Sequence, residues 1–230
     1  MASLPANAHV SAHPCVQAKL SQLRSKSTQA REVKSLIHEI ATIVGVEALG
    51  TCLKTTESGT DSSPLNYEYP VHTLTTPRIS LIPILRSGLS MIDALSSILP
   101  LPVPIHHLGM YREKSTLQPV EYYNNLPYHK RGVTDSQEAG PSEIAIVVDP
   151  VIATGATAMA AVETLRDWGV KRVIVLAILG SVEGVRRVAE SWPEAVEVFI
   201  GGCDAETDER GMIKPGLGDI GDRIFLTVGK

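Results

Sequence analysis

The chain has 230 residues, 43% of them apolar and 20% charged, a globular balance that excludes wholesale disorder and, at roughly 150 residues per domain, fits one domain spanning 1–230. Its 21 basic and 25 acidic side chains sum to −4, which gives no general attraction for the phosphates of nucleic acid. The longest uninterrupted aliphatic run, Val173 to Leu179, has seven residues against the roughly 20 of a membrane helix, so no bilayer span is expected.

Residues 1–12 are expected to be disordered or loosely attached. Val16, Leu20 and Leu23, then Val33, Leu36, Ile37, Ile40, Ala41 and Val44, fall at steps of three and four, which predicts helix. Thr51 to Pro77 mixes Thr, Ser, Gly and Pro and reads as an irregular or hairpin arm. Beyond it, short aliphatic runs alternate with amphipathic stretches. Ile79 to Leu85 precedes Gly88 to Leu99, and Val103 to Tyr111 precedes a long polar insertion. Ile144 to Val148 precedes Thr157 to Trp168, Val173 to Leu179 precedes Val182 to Ser191, and Val196 to Ile200 closes the series. Strands buried on both faces and joined by helices predict an α/β fold: an open, mainly parallel twisted sheet flanked by helices.

Residues 115–141 are expected to form a projecting hairpin or a mobile flap, since loops of that length in a compact domain commonly serve a site or are disordered. The tail from Asp204 to Lys230 carries glycines at 211, 216, 218, 221 and 229, too many for a helix to be expected. Cys15, Cys52 and Cys203 lack metal or disulfide spacing, as in a reducing compartment, so a cytoplasmic location is expected. Met1 to Arg31 contains no acidic residue, a composition that transit peptides share.

The sharpest local signal is Ile144-Ala-Ile-Val-Val-Asp-Pro-Val-Ile-Ala-Thr-Gly-Ala-Thr157, a buried strand ending in an acid and then a small-residue loop opening onto a helix. At the carboxyl end of a strand, such a loop turns backbone N–H groups and a helix N-terminus toward an anion. Thr154 and Thr157 add hydroxyl donors. The spacing matches neither GxxxxGK[ST] nor GxGxxG, which favours a monophosphate over a nucleoside triphosphate or dinucleotide. On the loop alone, simple helix capping with a solvated Asp149 is an equal alternative.

This strand, acid and Thr-Gly-x-Thr loop resembles the phosphoribosyl diphosphate signature of type I phosphoribosyltransferases. With Pro83-Ile-Leu-Arg-Ser-Gly-Leu, Gly109-Met-Tyr-Arg and Pro215-Gly-Leu-Gly-Asp-Ile-Gly-Asp-Arg-Ile-Phe225, the set resembles the uracil phosphoribosyltransferase family from about His13 to about Thr227. The resemblance implies transfer of the 5-phosphoribosyl group from phosphoribosyl diphosphate to N1 of uracil, with Mg²⁺ held mainly by the substrate rather than by a protein metal site. It also implies a homo-oligomer, dimer or tetramer, and admits a GTP effector.

By motif position, the implied catalytic residues are Arg86, Arg112 and Asp149: the arginines to meet the charge growing on the departing diphosphate, Asp149 to hold the ribose hydroxyls. Asp149, Pro150, Val151, Ile152, Ala153, Thr154, Gly155, Ala156 and Thr157 would form the donor loop, with Asp219 also near the donor. Pro150 replaces the second acid of other type I enzymes, as uracil enzymes do. Ile213, Gly218, Asp219 and Ile220 would contact uracil, in a C-terminal hood over 201–230 that reads the base through its main chain. His106 and His107 lie in an expected strand and are not assigned to the site.

The chain departs from the family pattern at several positions. Ala156 stands where glycine is usual, and if that position needs positive φ, alanine costs about 1 kcal/mol. Met212 replaces an aromatic, Lys214 an apolar residue and Ile220 an alanine, while 129–141 lengthens the flap. These changes motivate an alternative: a catalytically weak relative that binds phosphoribosyl diphosphate or UMP as a sensor or partner subunit.

Overall fold

The computed structural model describes residues 3–75, 78–113, 118–127 and 140–227. A central sheet of eight strands is built from β1 (Ala8–Val10), β4 (Ile79–Leu85), β5 (Leu108–Arg112), β6 (Pro119–Asn124), β7 (Ile144–Val148), β8 (Val151–Ile152), β9 (Arg172–Ser181) and β10 (Val196–Asp204). The order is β1-β10-β9-β7-β4-β5-β6, with β8 also paired to β9. Every pairing is parallel except that of β5 with β6.

Side chains alternate across the strands and bury both faces. Ile144, Ile146 and Val148 of β7, with Ile174, Leu176 and Ile178 of β9, pack with α1 (Pro14–Arg24), α2 (Ala30–Cys52) and α3 (Ile92–Ile98). Ala145, Val147, Val173, Val175 and Ala177 pack on the opposite side with α4 (Ala156–Trp168) and α5 (Val182–Ser191). Two-sided burial is what the uninterrupted aliphatic runs encode. Helix α2 has the length and apolarity of a membrane span, yet Val33, Leu36, Ile37, Ile40, Ala41, Val44 and Ala48 are spent on the protein core.

Three expectations need correction. Residues 8–10 are not loose: β1 pairs with β10, Asn7 Nδ2 donates to the carbonyls of Ala189 and Val196 at 2.9 Å, and the His9 ring stacks on Phe199 at 4.4 Å. Val103 to Tyr111 is not one strand. Pro102 and Pro104 lack N–H groups, so a single bridge from Ile105 to Leu81 forms before β5 begins at Leu108. Finally, the glycine-rich tail contains a short hairpin of β11 (Glu206–Thr207) with β12 (Ile213–Lys214), then a six-residue helix, α6 (Ile220–Phe225). Asp219 caps α6 by accepting from the Asp222 N–H at 3.0 Å, which starts a helix despite Gly221.

The arm after α2 is a hairpin of β2 (Thr55–Ser62) and β3 (Glu68–Leu74), with every residue of β2 exposed. Of the expected flap, Pro119–Asn124 is the edge strand β6, whereas 115–117 and 128–139 lie outside the described residues.

Candidate active site

Because β4, β5 and β7 run parallel, their carboxyl ends share one edge of the sheet, with Leu85 beside Gly109 and Pro83 beside Val148. Arg86 follows β4, Arg112 ends β5 and Asp149 follows β7. A cavity of about 340 Å³ opens at that edge. Its walls include Arg86 and Ser87, then Asp149, Val151 to Gly155 and Thr157, and from the tail Met212 and Gly218 to Gly221. The acid-and-glycine loop and the C-terminal turn, some sixty residues apart in sequence, therefore face one cavity.

The loop is braced from behind by α5. Ser181 caps that helix by accepting from the Gly184 N–H at 2.9 Å and donates to the Ala153 carbonyl at 2.6 Å. Arg187 Nη1 donates to the Thr154 carbonyl at 3.1 Å. With these carbonyls engaged on the α5 side, the first amides of α4, which have no intrahelical acceptor, are available to an anion. Gly155 precedes the helix with φ +80°, and a Cβ there would lie 2.6 Å from the Gly184 carbonyl oxygen.

This geometry corrects the expectation about Ala156. Gly155 carries the left-handed conformation, while Ala156 is the first residue of α4 and has no positive φ. Alanine is a good residue there, and Ala156→Gly should lower stability by up to about 1 kcal/mol, read as a small fall in melting temperature, without raising turnover.

Asp149 sits half-buried at the cavity floor and accepts from Ser87 Oγ at 3.1 Å. Burial pushes its carboxyl up to about 6, although the hydrogen bonds from Ser87 and the Val151 backbone oppose the shift. Arg86 is held at the mouth by the tail. Its Nη2 lies 3.8 Å from Asp222 Oδ1, its Nη1 donates to Thr227 Oγ1 at 3.5 Å, and its guanidinium lies over the Phe225 ring at 5.7 Å. The backbone of Arg112 reaches the same edge, and its side chain lies outside the described residues.

Not every expected residue lines the cavity. Pro150 is buried beneath the loop, where its carbonyl accepts from the Ile178 and Leu179 amides at 3.0 Å. Ile213 is turned into the core and backs the C-terminal turn rather than lining the cavity. Ile220 is also largely buried but does reach the wall. Met110, Tyr111 and Tyr122, which residue-by-residue reading did not assign, complete the cavity, the two tyrosine rings lying 6.1 Å apart. For Met110 and Tyr111 the signal was the Gly109-Met-Tyr motif at the end of a strand.

A strand-to-helix loop and a glycine-bent turn face each other across the carboxyl edge of a mainly parallel sheet, the arrangement expected of a type I phosphoribosyltransferase. The family model for uracil phosphoribosyltransferase matches residues 10–227, and the chain belongs to that family. It is 38% identical over 219 residues to a putative uracil phosphoribosyltransferase of Schizosaccharomyces pombe, covering 95% of this chain and 90% of that one. To the uracil phosphoribosyltransferase of Listeria innocua it is 37% identical over 227 residues, covering 96% and 99% of the two chains. Among solved structures, the AQ2163 protein of Aquifex aeolicus superposes with a TM-score of 0.82 at 27% identity, covering 96% of this chain and all of that one.

Proposed function

We propose that the chain transfers the 5-phosphoribosyl group of phosphoribosyl diphosphate to N1 of uracil, giving UMP and diphosphate. The observation that carries this reading is the single cavity shared by the Asp149–Thr157 loop and the Gly218–Gly221 turn, in a member of the uracil phosphoribosyltransferase family. The bond from C1′ to the diphosphate oxygen breaks and a C1′–N1 bond forms, while N1 loses its proton. The 5′-phosphate sits against the amides from Ala153 to Thr157, and Asp149 accepts from the ribose hydroxyls. Arg86 and Arg112 balance the charge that grows on the leaving diphosphate. Backbone groups from Gly218 to Ile220 offer the donor and acceptor that uracil requires, leaving cytosine mispaired.

Mg²⁺ fits this site as a companion of the donor. The carboxylates of Asp149 and Asp219 are hard oxygen ligands on the cavity wall, but among the described residues no three His, Cys, Asp or Glu side chains gather into a cage. As the family resemblance implies, the ion would take most of its ligands from the diphosphate and water, and it would neutralise leaving-group charge when bound.

Purified protein given uracil, phosphoribosyl diphosphate and Mg²⁺ should release UMP and diphosphate in equal amounts. Excess EDTA should abolish the reaction and added Mg²⁺ restore it. Cytosine, hypoxanthine and orotate should not replace uracil. Donor binding without diphosphate release would instead support the sensor reading; of its motives, strain at Ala156 is absent from the fold, while the changed residues of the base turn stand.

Homo-oligomerisation, to a dimer or tetramer, is supported by the β2–β3 arm. A lone two-stranded hairpin is marginal in water, yet this one exposes Leu65 and Tyr67 by 77% and 72%. Replacing 56–73 by a short Gly-Ser turn should convert the oligomer to monomer by light scattering, and an unchanged mass would refute the arm's role. Cytoplasmic residence follows the cysteine usage, and the GTP effector is checked by repeating the assay with GTP added.

A further inference from the structure

The turn assigned to uracil is gripped from behind by a partly buried ion pair formed across 180 residues. Arg24, the last residue of α1, donates from Nη1 and Nη2 to the two carboxylate oxygens of Asp204, each at 2.7 Å. The same two side chains then hold both backbone groups of Gly216. Asp204 Oδ2 accepts from its N–H at 3.0 Å, and Arg24 Nη1 donates to its carbonyl at 2.9 Å. Gly216 has φ +64°, and a Cβ there would fall 2.1 Å from the Ile213 carbonyl oxygen, so the turn has no slack at this point. A second arginine works beside the first. Arg223 Nη1 donates to the carbonyls of Leu217 at 2.8 Å and Leu23 at 2.7 Å, and its Nη2 donates to Ser25 at 3.1 Å.

None of these groups lines the cavity, whereas Gly218, two residues beyond the gripped glycine, does. We propose that Arg24 and Asp204 are positioning residues that set the affinity for the base, by fixing the Gly216–Gly218 backbone to the end of α1. The inference rests on the proposed uracil reading of that turn. Main-chain recognition of a small planar ring has no flexible side chain to correct an error, so a displacement of about 1 Å at Gly218 forfeits the pairing. The bidentate geometry fixes the distance and the tilt of the turn together, which a single-point lysine contact cannot. The donor loop is braced by Ser181 and Arg187 instead, while the side-chain hydrogen bonds of Arg24 and Asp204 run to each other and to Gly216.

The test measures KM for uracil and for phosphoribosyl diphosphate separately in full-length Arg24→Met, Arg24→Lys and Asp204→Asn. Arg24→Met should raise the KM for uracil by about tenfold to a hundredfold while the KM for the donor changes less than about threefold. Arg24→Lys, which keeps the charge but cannot reach Asp204 bidentately and the Gly216 carbonyl at once, should fall between it and wild type. If Arg24→Met folds poorly, Asp204→Asn supplies the decision. Its amide keeps Arg24 partnered but offers one acceptor oxygen where the carboxylate offers two, and it should raise the KM for uracil selectively. A general loss of stability would move both KM values little or both alike. An unchanged KM for uracil, or an equal rise for both substrates, overturns the proposal. Wild-type protein that forms no UMP would instead overturn the functional reading beneath it.

Discussion

Asp149→Asn is expected to stabilise the ligand-free protein at pH 8 while lowering kcat/KM for phosphoribosyl diphosphate by about two to four orders of magnitude, from two charge-assisted bonds to the ribose hydroxyls at roughly 1.5–3 kcal/mol each. The stability gain follows from the sign of the shift. Burial raises the folded carboxyl to about 6, so between about 4, where an unfolded aspartate titrates, and about 6 the native state binds more protons than the unfolded one. Stability contributed by the protonated group is then lost as pH rises through that window, and the penalty persists above it. Asparagine carries no charge to bury, so the melting-temperature difference between variant and wild type should widen from pH 4 to pH 8. In wild type, kcat/KM for the donor should fall as pH drops below about 6, because the protonated carboxyl has lost an acceptor. A melting-temperature difference independent of pH, or an asparagine variant with wild-type kcat/KM, would contradict this assignment.

The second large effect is expected at Gly155. An alanine there meets two independent penalties. A left-handed φ costs roughly 1–2 kcal/mol in an L-residue, and intrusion into packed surroundings typically costs a further 1–3 kcal/mol. The intruded atom is the Gly184 carbonyl oxygen, 2.6 Å from the new Cβ, which cannot swing aside as a side-chain tip would. Relief requires shifting either the loop or the start of α5, and the two are tied together by Ser181 and Arg187, so a shift of either disturbs the loop. Gly155→Ala should therefore lower stability by about 2–5 kcal/mol and weaken the donor by about a hundredfold, as the amides leave the phosphate position. The reciprocal substitution, Gly184→Ala, brings a Cβ to 2.1 Å from the Ala153 carbonyl oxygen and should resemble it. Calorimetry and donor KM read both effects, and a Gly155→Ala enzyme with the wild-type donor KM would show that the loop amides do not bind the phosphate.

The features legible in the sequence were those set by neighbours in the chain. The aliphatic runs of β4, β7 and β9 announce two-sided burial, and Asp149 to Thr157 carries its strand-to-helix turn within a few residues. Motif order then placed the loop and the tail in one site without any knowledge of distance. The parts that were not legible depend on partners far away in the chain. Nothing near Arg24 marks it as the mate of Asp204, and β1 is a strand only because β10 offers it an edge. Proline misled in the other direction, since the apolar run from Val103 looks like a strand until the missing N–H of Pro104 is counted. Helix α6 is hidden by the glycines at 216, 218 and 221, because in the sequence Asp219 signals a ligand contact as readily as the cap that starts the helix.

The bonds that fasten the base turn join Leu23, Arg24 and Ser25 to residues 204–223, so segments some 180 residues apart in sequence meet behind it. The donor loop is braced by residues of α5, whereas the base turn is held only when the end of α1 docks behind it. Loosening at the end of α1 would consequently spare the grip on phosphate and slacken the grip on pyrimidine, so nucleobase selectivity is the property most exposed to change there.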